Sequence, residues 1–298
     1  MRKREEGTGD CYKLSQIQIP VMISTMRNLI LSLILTIALW FGALSPAQAR
    51  PLPMPLLTSP DPQALADLAD LKNKAFTATN DGDFAAAERF WTDLLEQLPN
   101  EPAVWSNRGN ARVSQNKLEA AIEDYDRAIE LAPDAPDPYL NRGTALEGLA
   151  RWDEAIADYN RVLELDPKDP AAYNNRGNAE AGQGQWEQAV TDYKTAADLV
   201  PDYAFARANY AIALYQVGQT DEAIRTMRNL VRKYPQFADM RAALTAALWV
   251  EGKQGEAESH WVAAMGLDKR YKDLEWVAHT RRWSPAMVSA LERFLKLQ

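Results

Sequence analysis

The chain has 298 residues, with 33 Lys and Arg against 41 Asp and Glu, one cysteine and two histidines. Residues 1–49 hold five of the basic and three of the acidic side chains, so residues 50–298 carry a net charge of −10. Such a balance repels phosphate backbones and disfavours a nucleic-acid partner. Because Cys11 is the only cysteine, residues 50–298 can form neither a disulfide nor a thiol nucleophile, and they suit an oxidising compartment.

The N-terminal part of the chain predicts export. Residues 29–41 form an apolar run of 13 residues, Arg27 precedes it, and a small-x-small pattern ends at Ala49. The run is shorter than the ~20 residues that span a bilayer. We therefore predict a signal peptide over 26–49 that is cleaved after Ala49. Met26 is then the predicted true start of translation, and residues 1–25 are an extension assigned upstream of it in error. The alternative is an uncleaved anchor, which would tether the protein to a membrane.

The segment that follows predicts a tether and then a helix. Five prolines lie in residues 50–62. They prevent this linker from forming a helix and favour an extended chain. Asp61 and Pro62 place an acceptor side chain and a proline at the start of the first helix. The first helical hairpin is predicted to run to about Gln97, with its turn at residues 80–83.

A motif then recurs with a period of 34 residues. Trp105, Tyr139 and Tyr173 each open a five-residue block that ends in Asn-Arg-Gly. Three columns with the same period follow it. The alanines are Ala87, Ala121, Ala155, Ala189, Ala223 and Ala257; the large apolar residues are Trp91, Tyr125, Tyr159, Tyr193, Met227 and Trp261; the closing prolines are Pro99, Pro133, Pro167, Pro201 and Pro235.

This pattern resembles the tetratricopeptide repeat, in which an aromatic, a small residue, an alanine, an aromatic and a proline recur at this period. The resemblance implies an all-α fold, a right-handed α–α superhelical solenoid of six helix-turn-helix repeats over residues 63–269. The units are about 66–101, 102–135, 136–169, 170–203, 204–237 and 238–269. No unit can bury its apolar face alone, so stacking of neighbours makes the array fold.

Helix packing explains two further sets of residues that recur with the 34-residue period. Small residues at Gly109, Gly143, Gly177 and Ala211 are predicted to let paired helices approach closely, while Tyr125, Tyr159 and Tyr193 fill the space between neighbouring units. Arginine replaces the consensus leucine in three units, and the same three units carry an aspartate before the tyrosine. The pairs are Arg108 with Asp124, Arg142 with Asp158, and Arg176 with Asp192. We predict bidentate Arg–Asp pairs between helices, with ligand binding by the arginines as the alternative.

The resemblance also implies that the first helices line an inner, concave surface where ligands lie. The candidate protein-binding residues there form one column, Asn107, Asn141, Asn175 and Asn209, and a second, Asn110, Thr144 and Asn178. An amide offers two donors and one acceptor, the complement of an extended peptide backbone. The alternative is that these amides bond to the next repeat or to water. Because no lysine lies beside them, a clamp for chaperone tails is disfavoured.

After Trp261 the pattern weakens, and residues 270–298 are predicted to be a C-terminal cap. Ser284 and Pro285 open a final helix with an apolar face formed by Met287, Val288, Leu291, Phe294 and Leu295. Residues 271–276 and 280–283 carry aromatics beside a small basic cluster. Their alternative role is a second docking surface, centred on Trp276 and Trp283.

The sequence predicts binding rather than catalysis. His260 and His279 lack the spacing of a metal site, and the glycines at 182 and 184 lie in a turn without the rest of a phosphate-binding motif. We predict no catalytic residue, no cofactor and no metal.

The resemblance implies a protein-binding scaffold or assembly factor for a protein or peptide partner in an exported compartment. A periplasm or a thylakoid lumen fits, with the protein soluble or anchored at its N-terminus. The repeat style resembles cyanobacterial members, which implies assembly of photosynthetic membrane complexes. The alternative is a structural or self-associating module, whose inner face is filled by its own C-terminal segment or by a second copy.

Overall fold

The computed structural model describes residues 61–297. The predicted extension, the signal peptide and the linker up to residue 60 lie outside this range. Regular structure in residues 61–297 is entirely helical, and the chain from Leu68 onward forms one compact unit. None of the helices in this range combines the length and the apolarity needed to cross a bilayer.

Twelve of the helices in residues 61–297 pair into six repeats, and a thirteenth follows them. The pairs are α1 Pro62–Asp81 with α2 Phe84–Gln97, α3 Pro102–Val113 with α4 Leu118–Leu131, α5 Pro136–Gly148 with α6 Trp152–Leu165, α7 Pro170–Gly182 with α8 Trp186–Leu199, α9 Ala204–Gln216 with α10 Thr220–Lys233, and α11 Ala238–Val250 with α12 Gln254–Leu267. The last helix is α13 Pro285–Leu295. A 3-10 turn at Lys269–Lys272 and a π turn at Trp276–Thr280 precede it.

Each helix from α2 to α11 packs on the next one along the chain. The first helices also touch one another across repeats, α3 with α5, α5 with α7, and α9 with α11. We call the surface formed by α3, α5, α7, α9 and α11 the first-helix face. The predicted fold of six stacked helical pairs followed by a terminal helix is confirmed.

The hairpin turns share one backbone feature. A residue in each of the six turns has a positive φ between 55° and 79°, and these residues are 34 apart: Gly82, Asn116, Ala150, Gly184, Gly218 and Gly252. Four of them are glycine, which adopts this left-handed conformation without steric cost. Ala150 is the outlier, because its Cβ is strained there.

The small-residue column is required by the tyrosine that faces it. A Cβ placed on Gly143 would lie 2.6 Å from Cε1 of Tyr159, closer than real Cβ atoms approach a ring. The same holds for Gly109 against Tyr125 at 2.7 Å and Gly177 against Tyr193 at 2.9 Å. The predicted close approach of paired helices at this column is confirmed, and the tyrosine that requires it faces the first helix of its own repeat.

The predicted Arg–Asp pairs form, and each arginine also reaches a third helix. Arg142 donates to Asp158 through Nε at 2.9 Å and Nη2 at 2.6 Å, and its Nη1 lies 2.6 Å from Asp126 Oδ1 on the preceding α4. Hydrogen bonds to Asp158 raise the pKa of Arg142. Equivalent forks join Arg108 to Asp124 and Thr92, and Arg176 to Asp192 and Asn160.

We expect the Ala150→Gly variant to be more stable than the wild type by up to about 1 kcal/mol, because glycine relieves the left-handed strain. Gly184→Ala is the matched reverse change, and nothing lies within 4 Å of its added Cβ. It should lose about 1 kcal/mol. Urea-unfolding midpoints of both variants give the result, and shifts of the same sign would contradict it.

Removing one member of the Arg142–Asp158 pair should destabilise the protein by about 3 kcal/mol, because Asp158 is buried and either change strands a charge. The double variant Arg142→Leu/Asp158→Leu should lose much less than the two single changes together. Thermal or urea unfolding of the four proteins measures the coupling. If the loss of unfolding free energy in the double variant equals the sum of the two single losses, Arg142 and Asp158 are not energetically coupled.

Candidate functional site

The predicted asparagines lie at one repeated position of the first helices. Asn107, Asn141, Asn175 and Asn209 belong to α3, α5, α7 and α9, and each is half-buried. Asn73 on α1 occupies the same position and is exposed. It was not among the predicted residues, although extending the 34-residue period one unit upstream of Asn107 would have found it. We call these five residues the amide row.

Three members of the amide row, Asn73, Asn107 and Asn141, have side chains without a hydrogen-bond partner in residues 61–297. Of these, Asn107 and Asn141 are each followed in the sequence by an arginine. That arginine is held in place by its hydrogen bonds to an aspartate of the next helix. The amides of Asn107 and Asn141 therefore retain two donors and one acceptor each. The anchored arginine next to each asparagine restrains the backbone from which the amide projects.

The second predicted column lies against the tyrosines. Asn110 Oδ1 accepts from the Tyr125 hydroxyl at 2.7 Å, and Asn178 Oδ1 accepts from Tyr193 at 3.0 Å. Thr144, the equivalent residue of the third repeat, donates its hydroxyl proton at 3.1 Å to a carbonyl of its own helix. Two members of the column are thus tied to buried tyrosines, and one is tied to its own backbone.

Between the fourth and fifth repeats the amides form a network. Asn209 Nδ2 donates to Asn174 Oδ1 at 3.1 Å and to Asn178 Oδ1 at 3.2 Å, and Asn174 Nδ2 donates to Asn175 Oδ1 at 3.1 Å. The network brings together three of the predicted site residues. The other four, Asn107, Asn110, Asn141 and Thr144, are not hydrogen-bonded to one another within the described residues. Ligand binding by all seven stays a prediction.

Residues 268–297, which we call the C-terminal segment, lie on part of the first-helix face. Helix α13 packs on α11 and α9, with Met287, Leu291 and Phe294 fully buried. The ring of Phe294 meets Trp249 at 5.1 Å and Trp261 at 5.0 Å, both edge to face. The final helix therefore covers the first-helix face of the last two repeats as well as ending the array.

The sequence of the face explains where the C-terminal segment lies. At the position of Asn110 and Asn178, the last two repeats carry the apolar residues Ile212 and Ala246, both buried. At the amide-row position the fifth repeat keeps Asn209, and the sixth carries the buried Ala243. Small side chains allow a helix to approach closely, and their burial favours an apolar partner. The first-helix face thus carries amides on α3, α5, α7 and α9 and is apolar on α11, where most of α13 packs.

One carboxylate holds the C-terminal segment in register. Asp239, buried in the first turn of α11, accepts three hydrogen bonds on its Oδ1. The donors are the Tyr271 hydroxyl at 2.9 Å, Arg281 Nε at 3.0 Å and Trp283 Nε1 at 3.0 Å. Part of the aromatic and basic cluster in the C-terminal sequence therefore makes an internal contact. No repeated pattern marks Asp239, so nothing in the sequence singled it out.

A second carboxylate joins the C-terminal segment to the third repeat. Glu147, buried on α5, accepts from the Tyr159 hydroxyl at 2.7 Å and from Arg282 Nη1 at 2.9 Å. Burial raises the pKa of Glu147, and Arg282 opposes that rise. The Arg282 guanidinium also lies 6.0 Å from the ring of Trp152. Arg282 has a φ of +54°, so these contacts hold it in a strained backbone conformation.

A cleft of about 750 Å³ lies where the amide row meets the C-terminal segment. Its walls include Asn178 and Asn209 of the predicted site, Trp152 and Trp186, and Arg282 from the C-terminal segment. The cleft combines amide groups with aromatic surface, which is the usual composition of a binding pocket.

Glu180 on α7 is an unsatisfied acid. It stands where the third, fifth and sixth repeats bury leucine, and its Oε2 is the buried side-chain atom in residues 61–297 that lacks a hydrogen-bond partner. Burial, with the nearby Asp192, raises its pKa to about 7. The folded protein therefore binds this proton more tightly than the unfolded chain, whose glutamates titrate near 4.5.

It follows that the stability contributed by protonated Glu180 is full below pH 4.5 and is lost as the pH rises to about 7. Glu180→Gln should be about 2 kcal/mol more stable than the wild type at pH 8 and nearly equal to it at pH 4.5. Urea midpoints at both pH values test this. Glu187→Gln, at an exposed position of α8, is the control, and a pH-independent difference for Glu180→Gln would refute the assignment.

The comparisons with known proteins agree with this geometry. Two family models, described as TPR repeat and tetratricopeptide repeat, match residues 97–149 and 151–184, and residues 180–247. Together they cover just over half of the 298 residues. None of the curated proteins matches the chain by sequence.

Several solved structures share the fold. A tetratricopeptide repeat protein from Parabacteroides merdae has 21% identity over 78% of this chain and 86% of its own, with a TM-score of 0.58. TTC0263 from Thermus thermophilus has 18% identity over 61% and 99%, with a TM-score of 0.51. YrrB, described as a TPR protein with an unusual peptide-binding site, has 20% identity over 64% and 97%, with a TM-score of 0.50. Proteins with these repeats are generally protein-interaction scaffolds and are typically not catalytic. The chain belongs to the tetratricopeptide repeat family.

Proposed function

We propose that this protein is a non-enzymatic scaffold that holds an extended segment of a partner protein along the amide row. The observation that carries the proposal is that Asn107 and Asn141 have no partner in residues 61–297, at a position repeated from Asn73 to Asn209. Packed helices lie about 8–10 Å apart, which is the length of about three extended residues. Amides from successive repeats would then meet the ligand backbone at about every third residue.

The proposed place of work is an exported compartment, a periplasm or a thylakoid lumen, where the protein would act as an assembly factor. The predicted signal peptide over 26–49 and the lack of cysteine after Cys11 support this. The acidic chain would reach its partner free in the compartment or, if the signal is retained, tethered to the membrane by the proline-rich linker.

The test is selection from a displayed library of random 12-residue peptides on the chain from Arg50 onward. We expect the wild type to enrich binding peptides and the triple variant Asn107→Ala/Asn141→Ala/Asn175→Ala to bind them at least about tenfold more weakly. This loss corresponds to hydrogen bonds worth about 1 kcal/mol each. Titration by fluorescence anisotropy measures the affinities, and thermal unfolding shows whether each variant folds.

The matched control removes amides from the second helices, where no ligand is proposed. Gln188→Ala/Asn229→Ala changes two exposed residues of α8 and α10 and should leave binding unchanged. Equal binding by the wild type and the triple asparagine variant would show that the amide row is structural.

One observation favours a second candidate function, a self-associating module. The first-helix face of the last two repeats already holds a helix of the same chain, α13. A second copy could occupy the open part of the face in a similar way. Light scattering over a range of protein concentrations separates the candidates. A dimer that the triple asparagine variant cannot form would identify the second copy as the ligand, and a monomer at every concentration would rule it out.

A further inference from the structure

The tyrosines at the centre of the second, third and fourth repeats carry a polar atom in a buried place. Tyr125, Tyr159 and Tyr193 are at most 4% exposed. A buried hydroxyl needs an acceptor for its proton, since an unsatisfied donor in the interior is costly. The acceptor is an asparagine oxygen for Tyr125 and Tyr193, whereas for Tyr159 it is the carboxylate of Glu147.

The hydroxyl decides which way its asparagine faces. In Asn110 and Asn178 the oxygen points inward and accepts from the tyrosine, so the nitrogen points away from it. If either amide turned over, its NH₂ group would face the hydroxyl, and the tyrosine proton would lose its acceptor. The turned-over arrangement is therefore disfavoured by the burial of the tyrosine.

The network between repeats strengthens this orientation at Asn178. Its oxygen accepts a second hydrogen bond, from Asn209 Nδ2 at 3.2 Å, so both acceptor sites of the carbonyl are used. The oxygen of Asn175 is likewise engaged by Asn174 at 3.1 Å. What Asn178 has left to offer a ligand is N–H donors, while Asn175 keeps its donors and one acceptor site.

We propose that Tyr125 and Tyr193 are positioning residues, which turn the amide nitrogens of Asn110 and Asn178 toward the ligand. At these two positions the first-helix face then reads hydrogen-bond acceptors, the main-chain carbonyl oxygens of an extended segment, whereas Asn107 and Asn141 can still both donate and accept. In the third repeat this donor is missing, because Thr144 gives its proton to its own helix. The inference about the ligand rests on the proposed function, while the amide orientation does not.

The orientation is tested in the ligand-free protein by NMR. The side-chain NH₂ signals of Asn178 are assigned by their loss in Asn178→Asp, and their exchange with water is measured. We expect both protons to exchange at similar rates, and Tyr193→Phe to leave neither more exposed than before. If one proton is protected in the wild type and Tyr193→Phe removes that protection, the NH₂ group faces the tyrosine and the proposal is overturned.

The ligand is tested with a peptide selected on the wild type. Asn178→Asp keeps the acceptor for Tyr193 but replaces the N–H donor, so it should weaken peptide binding at least about tenfold. Tyr193→Phe, which frees the amide to turn, should weaken it about three- to tenfold with the fold retained. Tyr210→Phe is the control, because that hydroxyl bonds Glu222 at 3.0 Å and touches no asparagine.

The outcomes separate the two proposals. Wild-type affinity in Asn178→Asp would overturn acceptor reading while leaving the scaffold function intact. A library that yields no binding peptide would overturn the scaffold function, and the exchange rates would still decide how the tyrosines orient the amides.

Discussion

The Arg–Asp fork is the contact on which the rest of the array depends. An aspartate as buried as Asp124, at 1% exposure, is tolerable only beside a charge that satisfies both of its oxygens. The arginine does so with two of its nitrogens and uses a third to reach the preceding repeat. One side chain thus sets the angle within a repeat and the register between repeats. The asparagine that precedes each arginine in the sequence is oriented by the same restrained stretch of helix.

Features that repeat could be predicted from the sequence, and features that occur once could not. The Arg142–Asp158 pair and the close helix approach at Gly143 were predicted, because three equivalent copies expose any constraint shared by all. Asp239 and Glu147 were missed, because their partners Arg281 and Arg282 come from a part of the chain that has no period. The amide row was predicted for four of its five members, whereas the orientation of the Asn110 and Asn178 amides follows from hydrogen bonds that the sequence does not reveal.

The first-helix face has two regions with opposite chemistry. Toward the C-terminus, small apolar residues are covered by α13, and Asp239 gathers three donors at its edge. Toward the N-terminus, amides remain open. A chain that supplies its own occupant for the apolar region leaves only the polar region to a partner, and polar recognition by amides makes little demand on the partner's side chains. The cleft beside Trp152 and Arg282 lies at the boundary between the two regions.

Repeat arrays usually gain or lose whole units freely, because each unit contacts only its neighbours. Here the ion pair between Glu147 and Arg282 joins residues 135 apart in the sequence. Inserting or deleting one 34-residue unit between α6 and α10 would carry Glu147 out of reach and strand a buried carboxylate. Such proteins ordinarily change length by duplication and loss of repeats. In this stretch of the chain either change would break the Glu147–Arg282 ion pair. The contact of the C-terminal segment with the third repeat is therefore compatible with only one number of repeats between them.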